Sequence, residues 1–149
     1  MMKKSVVYVL QCLAGISLML WLGVARAEVS ISDAWVRASN PGQSVGAAYL
    51  TLRSSEDVTM VYVETERAGH TEIHSMSMQN GIMKMRHLEE LAIPANQTVK
   101  LGPGGFHLML FELDSPFKAG EQVKFRLCFK DKAGKIQEKF ISIPVKTAS

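Results

Sequence analysis

The stretch that most constrains this chain is Gln79-Asn80-Gly81-Ile82, an Asn-Gly pair set between two alternating runs. Asn and Gly both tolerate the positive φ of a two-residue type I′ turn, so the pair is the strongest short-range signal for a β-hairpin. With Asn80 and Gly81 as the loop, Gln79 pairs with Ile82. Pairing then runs outward through Met78 with Met83 and Met76 with Met85 to His74 with His87. Side chains of a strand alternate between faces, so these six Met and His residues share one face of the ribbon. His74 and Met85 become diagonal neighbours, and a shift of one residue would part them.

The rest of the chain repeats this grammar. Turn signals recur at Asn40-Pro41-Gly42, Ser54-Ser55-Glu56-Asp57, Pro94-Ala95-Asn96, Gly102-Pro103-Gly104-Gly105, Lys118-Ala119-Gly120 and Lys132-Ala133-Gly134. Short β-rich runs lie between them: Ser32–Arg37, Gly46–Arg53, Val58–Thr65, Thr71–Met78, Ile82–Leu88, Gln97–Leu101, Phe106–Leu113, Gln122–Phe129 and Ile136–Val145. No long segment has helical periodicity, and Leu88–Leu91 reads as a turn or short helix. The pattern predicts an all-β domain, a Greek-key sandwich or small barrel of eight or nine strands. Its core candidates are Trp35, Tyr49, Leu50, Leu52, Val61, Val63, Leu108, Leu110, Phe125 and Leu127.

Met1 to Ala27 reads as a secretory signal peptide: Lys3 and Lys4, then an apolar run from Ser5 to Val24, then Ala25-Arg26-Ala27 in the small-x-small form of a cleavage site. An uncleaved anchor is the alternative, because about 20 apolar residues can span a bilayer. Val9-Leu10-Gln11-Cys12 is a poor lipoprotein signal, since Gln11 is bulky and the cysteine falls early in the apolar run. Cleavage predicts an exported chain of residues 28–149, one domain with a real core. The full chain carries 17 Lys and Arg against 14 Asp and Glu; losing Lys3, Lys4 and Arg26 leaves it formally neutral. No basic stripe then remains to hold nucleic acid or an anionic membrane surface. Cys128 becomes the sole cysteine, so no intrachain disulfide can form, and its place among Lys124 and Arg126 reads as a structural thiol.

Residues 74–109 hold three of the four histidines, together with Met76, Met78, Met83, Met85 and Met109. His74 and Met85 share the hairpin face, and His107 and Met109 share a face of the Phe106–Leu113 run while Phe106 and Leu108 take the other. Two ligands from the hairpin and two from a third strand could enclose one ion. Imidazole and thioether, with no thiolate and few carboxylates, suit a soft cation of low charge, and copper(I) is the obvious candidate. Thioethers also resist the disulfide formation that threatens thiols in an oxidising compartment. Methionine is equally a flexible filler of cores, so the residues alone leave packing and metal binding both open.

The spacing His74-(ten)-Met85-(twenty-one)-His107-x-Met109 resembles the signature of the PCu(A)C family of periplasmic copper chaperones. The flanking segments Glu72-Ile73-His74-Ser75-Met76, Gly81-Ile82-Met83-Lys84-Met85-Arg86 and Pro103-Gly104-Gly105-Phe106-His107-Leu108-Met109-Leu110 are similar as well. The likeness runs from Ile31 to the closing strand. It implies a cupredoxin-like fold, a single copper(I), and His74, Met85, His107 and Met109 as its ligands. It also implies a copper-receiving partner in the periplasm, a cytochrome oxidase subunit served during copper-A assembly or another copper chaperone. A His- and Met-rich tail found in some members has no counterpart in Val145-Lys146-Thr147-Ala148-Ser149.

Other classes fit less well. Blue-copper electron transfer needs a Cys thiolate beside two His and a Met, and no Cys lies in the ligand window. His70-Thr71-Glu72-Ile73-His74 misplaces its Glu for the zinc-protease pattern, and no Walker loop, dinucleotide fingerprint or nucleophile elbow is present, so no enzyme is expected. An exported β-sandwich that binds a partner through its Met face, without metal, remains the alternative.

Overall fold

A computed structural model describes residues 27–147; of the segment read as a signal peptide, all but Ala27 lies outside them. Ten strands follow in chain order: β1 (Val29–Arg37), β2 (Val45–Ser54), β3 (Val58–Glu64), β4 (Ala68–Gln79), β5 (Ile82–Leu88), β6 (Leu91–Ile93), β7 (Thr98–Leu101), β8 (His107–Leu113), β9 (Gln122–Asp131) and β10 (Ile136–Lys146). Hydrogen-bonded neighbours run β5-β4-β8-β2-β1-β10-β9-β3-β6, with β7 also on β2. The parallel contact of β1 with β10, at Val36↔Val145, joins two otherwise antiparallel sheets. Their inner faces enclose Val36, Leu50, Leu52, Met60, Leu108, Leu110, Phe125, Leu127 and Phe129. Each sheet buries one set of alternating residues, as a sandwich requires.

The hairpin has the register that its turn dictates. Asn80 (φ 51°) and Gly81 (φ 76°) both take positive φ, as a type I′ turn demands, and Gln79↔Ile82, Met78↔Met83, Met76↔Met85 and His74↔His87 pair across β4 and β5. One edge of β2 is shared: β8 pairs along Val45–Ala48 and β7 along Leu50–Arg53. The chain therefore leaves β7 and rejoins the same edge one step on. The Gly-Pro-Gly-Gly loop makes that step, closed by the Gly102 amide donating to the Phe106 carbonyl and the Gly105 amide to the Gly102 carbonyl. This sets His107 beside the hairpin.

Four expectations need correction. Among the described residues the strand count is ten, because Leu91–Ile93 is a short strand on β3; the turn or short helix expected over Leu88–Leu91 is a bend at Glu89-Glu90 that leads into it. Trp35 is only half-buried: the register slips between Ser32 and Trp35, with Asp33 at φ 49°, so Trp35 pairs outward with Tyr49 and Val36 takes the core position. A second slip, between Met60 and Tyr62, likewise gives the core to Met60 and Val63 and leaves Val61 partly exposed. A bulge adds one residue and reverses the facing of everything beyond it. Phe106, expected to begin a strand with its ring turned to the core, is exposed; the strand begins at His107.

Candidate metal centre

The sheet ends in the order β5-β4-β8, and its outer face, opposite the buried Ile73, Leu108 and Leu110, carries rows of paired side chains. The middle row is His87, His74 and His107, one from each strand. Towards the hairpin tip, Met85 and Met76 form the next row, and the Met76 amide donates to the Gly105 carbonyl at 3.1 Å. In the other direction Glu72 pairs with Met109, which pairs in turn with Ala47 on β2. The alternation of β8 thus sends Leu108 and Leu110 inward and His107 and Met109 outward.

The two central imidazoles are nearly buried on this outer face, His74 at 9% exposure and His107 at 5%. Their ring centroids lie 5.7 Å apart. Metal–imidazole bonds are about 2 Å long, so rings at this separation can share one ion. Each ring is tied at one nitrogen. Nε2 of His74 lies 2.7 Å from the Glu72 carboxylate, and with the proton on Nε2 it donates there. Nδ1 of His74 is buried with no partner. Nδ1 of His107 lies 3.1 Å from the Gly105 carbonyl, which leaves Nε2 of His107 with its lone pair free. A ring nitrogen bonded to a carboxylate or carbonyl beside an unsatisfied one is the arrangement that orients a metal-binding histidine. The hydrogen bond from His74 also holds the Glu72 carboxyl below its ordinary pKa, with the neighbouring histidines adding to the effect.

An open groove of about 270 Å³ runs over this face, lined by Met76, Met85, His107 and Met109, with Tyr49 and Arg37 on its far wall. Three of the four expected ligands therefore face one space. His74 is not among the lining residues; its ring stands beside that of His107, 5.7 Å away between centroids. Among the described residues no group of three or more His, Cys, Asp or Glu is placed to hold a metal ion, and the sulfur side chains beside His107 in the groove are those of Met76, Met85 and Met109. That donor set suits a soft cation. Cys128, the free thiol, is buried on β9 of the other sheet, and burial raises its pKa.

Sequence reading missed three contributors. Glu72 was visible beside His74 but its role depends on the side chain turning back to Nε2. Met76 lines the groove together with Met85. Tyr49 is buried, but on the groove side beneath Trp35 (centroids 4.6 Å) and Arg37 (5.7 Å), outside the apolar core. His70 lies on the far side of Glu72, its Nε2 3.7 Å from that carboxylate and its ring stacked on Phe111 at 4.7 Å.

Comparison with known proteins places this architecture. The profile of the family described as "Putative lipoprotein LpqE-like" matches residues 29–145. A protein of Leifsonia xyli subsp. xyli described as a "Putative lipoprotein" is 31% identical over 104 residues, which cover 69% of this chain and 63% of that protein. The chain thus spans under two thirds of that relative's length. Among solved structures, the copper-bound PCuAC domain from PmoF2 superposes with a TM-score of 0.65 at 18% identity, covering 83% of this chain and all of that one. The solution structure of CuI-DR1885 from Deinococcus radiodurans gives 0.57 at 28% identity, over 91% of this chain and 86% of that one. The all-β fold is shared with these domains and is cupredoxin-like.

Proposed function

Because the chain belongs to the LpqE-like family, we propose that it is an exported copper(I) chaperone that holds one ion at the outer face of its β5-β4-β8 edge and delivers it to a partner. Its structural neighbours include a copper-bound PCuAC domain and a copper(I) form of DR1885, which supports copper as the cargo. The observation that carries the reading is the pair His74 and His107, each tied at one ring nitrogen and open at the other, beside the thioethers of Met85 and Met109. We assign these four as the ligands.

The chemistry of delivery follows from their setting. Two imidazoles and two thioethers are all neutral, so they hold a monovalent ion without the charge that would favour divalent competitors. Met85 is 46% exposed and stands on the edge hairpin, so a partner's ligand can displace it first while the buried imidazoles still hold the ion. Nothing in this exchange is a bond-making reaction on a substrate, and the protein acts as a carrier rather than an enzyme. Export through the signal segment, with cleavage after Ala27, would place it in the periplasm, where a copper-A subunit of cytochrome oxidase or another copper chaperone would receive the ion. Among the described residues no helix is long and apolar enough to cross a membrane.

Electron transfer is the weaker reading, because Cys128 lies in the opposite sheet, away from both histidines. The test is titration of the exported chain with copper(I) against a competing chelator, followed by X-ray absorption at the copper edge. One tightly held ion with both nitrogen and sulfur neighbours is expected. Failure to compete for copper(I), or a shell of oxygen and nitrogen alone, would refute the assignment.

A further inference from the structure

The hairpin carries thioethers that this four-ligand site does not use. Met78 and Met83 face each other directly one row beyond Met76 and Met85, on the same face and towards the tip. They are 64% and 58% exposed, whereas Met60 is wholly buried in the core. Packing accounts for Met60. It does not account for Met78 and Met83, which lie in solvent.

Directly opposed residues of an antiparallel pair have β-carbons about 4.5–5.5 Å apart. Methionine has three rotatable bonds, so two sulfurs so placed can turn towards a common point. Bonds from a soft d¹⁰ ion to sulfur of about 2.3 Å each fit that spacing without moving the backbone. Met76, on the same strand and face as Met78 and part of the groove wall, brings a third sulfur from the inner row. The paired Ser77 and Lys84 point to the other face, as do Ser75 and Arg86. No carboxylate stands among the three thioethers, so a hard or divalent cation has nothing to bind there.

We propose that Met76, Met78 and Met83 form a second, weaker site for a soft monovalent metal ion at the hairpin tip, from which copper(I) passes to Met85 and the two histidines. The idea deepens the chaperone reading and rests on it for the direction of transfer, but the binding itself is independent of the histidines. Three neutral thioethers without an imidazole should hold the ion loosely and exchange it fast.

Silver(I), a redox-inert stand-in for copper(I), can be titrated into the exported chain while the methionine methyl groups are followed by NMR. The methyls of Met85 and Met109 should respond to the first equivalent. Those of Met78 and Met83 should move in fast exchange during the second, with Met60 unmoved throughout. Met78→Leu with Met83→Leu should abolish the second phase and keep the first. His74→Ala with His107→Ala should weaken the first phase and leave the Met78 and Met83 shifts in place, which separates failure of this proposal from failure of the four-ligand site. The proposal is overturned if those two methyls stay fixed through the second equivalent. It is equally overturned if they shift with protein concentration in the absence of metal, the mark of a second copy packing on the face.

Discussion

His74 and His107 stand directly opposite each other on β4 and β8 with their ring centroids 5.7 Å apart, yet their hydrogen bonds run to different anchors. His74 is held by a carboxylate, His107 by a main-chain carbonyl. Only the first anchor can be changed by substitution without altering the backbone.

Glu72→Ala therefore removes the group that orients His74, whereas a Gln side chain would still accept from Nε2. Loss of a group that orients a metal-bound histidine costs about 10–100-fold in metal affinity, and the copper(I) competition titration should record a fall in that range. Glu72 is half-buried, with its side chain 30% exposed, and its loss leaves the His74 Nε2–H without a partner, so a modest fall in melting temperature should accompany it. An unchanged copper affinity would mean that Glu72 is a bystander.

The methionines separate into two kinds. Met60 fills the core, so Met60→Leu, close in volume, should cost less than about 1.5 kcal/mol in chemical denaturation and leave copper binding intact. Met85 is half-exposed and lines the groove. On the proposed ligand assignment, Met85→Leu should leave stability unchanged and lower copper(I) affinity by about tenfold. The reverse pattern would make the hairpin methionines packing residues after all.

Gly81 holds the register of the hairpin with φ 76°. A β-branched residue cannot take that conformation cheaply, and Gly81→Val should cost about 1–3 kcal/mol of local strain. An added β-carbon would meet nothing nearby, so the strain is purely in the backbone. Thermal melting should show a modest loss, and copper affinity should fall because Met85 no longer sits diagonal to His74.

Acid stability should trace in part to carboxylates paired with Arg and Lys away from the metal face. Arg67 donates to Asp114 at 2.9 Å, and that hydrogen bond holds the Asp114 carboxyl below its ordinary value of 3.8. Glu64 is lowered in the same way by Arg126, and Asp57 by Lys132. A carboxyl with a depressed folded pKa stabilises fully above its unfolded value, and that stability is lost as pH falls through the folded one. Urea midpoints should thus drop below about pH 5, and Asp114→Asn should lower the neutral-pH midpoint slightly while flattening the acid decline.

Much of this was legible because it is local. Asn80-Gly81 dictated the pairing of Met76 with Met85 and His74 with His87, and alternation placed His107 and Met109 together. Non-local geometry was less readable. The bulges that turn Trp35 outward and bring Met60 inward leave no mark in the alternation itself, and Leu91–Ile93 is too short to show a period. The carboxylate on His74 and the Tyr49–Arg37 wall of the groove depend on side-chain rotamers and on strands far apart in the chain.

On the proposed chaperone reading, the carbonyl of Gly105 bears on how the ion would leave. One oxygen receives both the Met76 amide and Nδ1 of His107, at 3.1 Å each. Its two lone pairs thereby tie the tip of the hairpin to the aim of an imidazole on another strand. A recipient that pries the ribbon away from β8 would undo both bonds at a single latch. Met85 would be carried off as His107 lost its tether, so unloading would be abrupt rather than gradual.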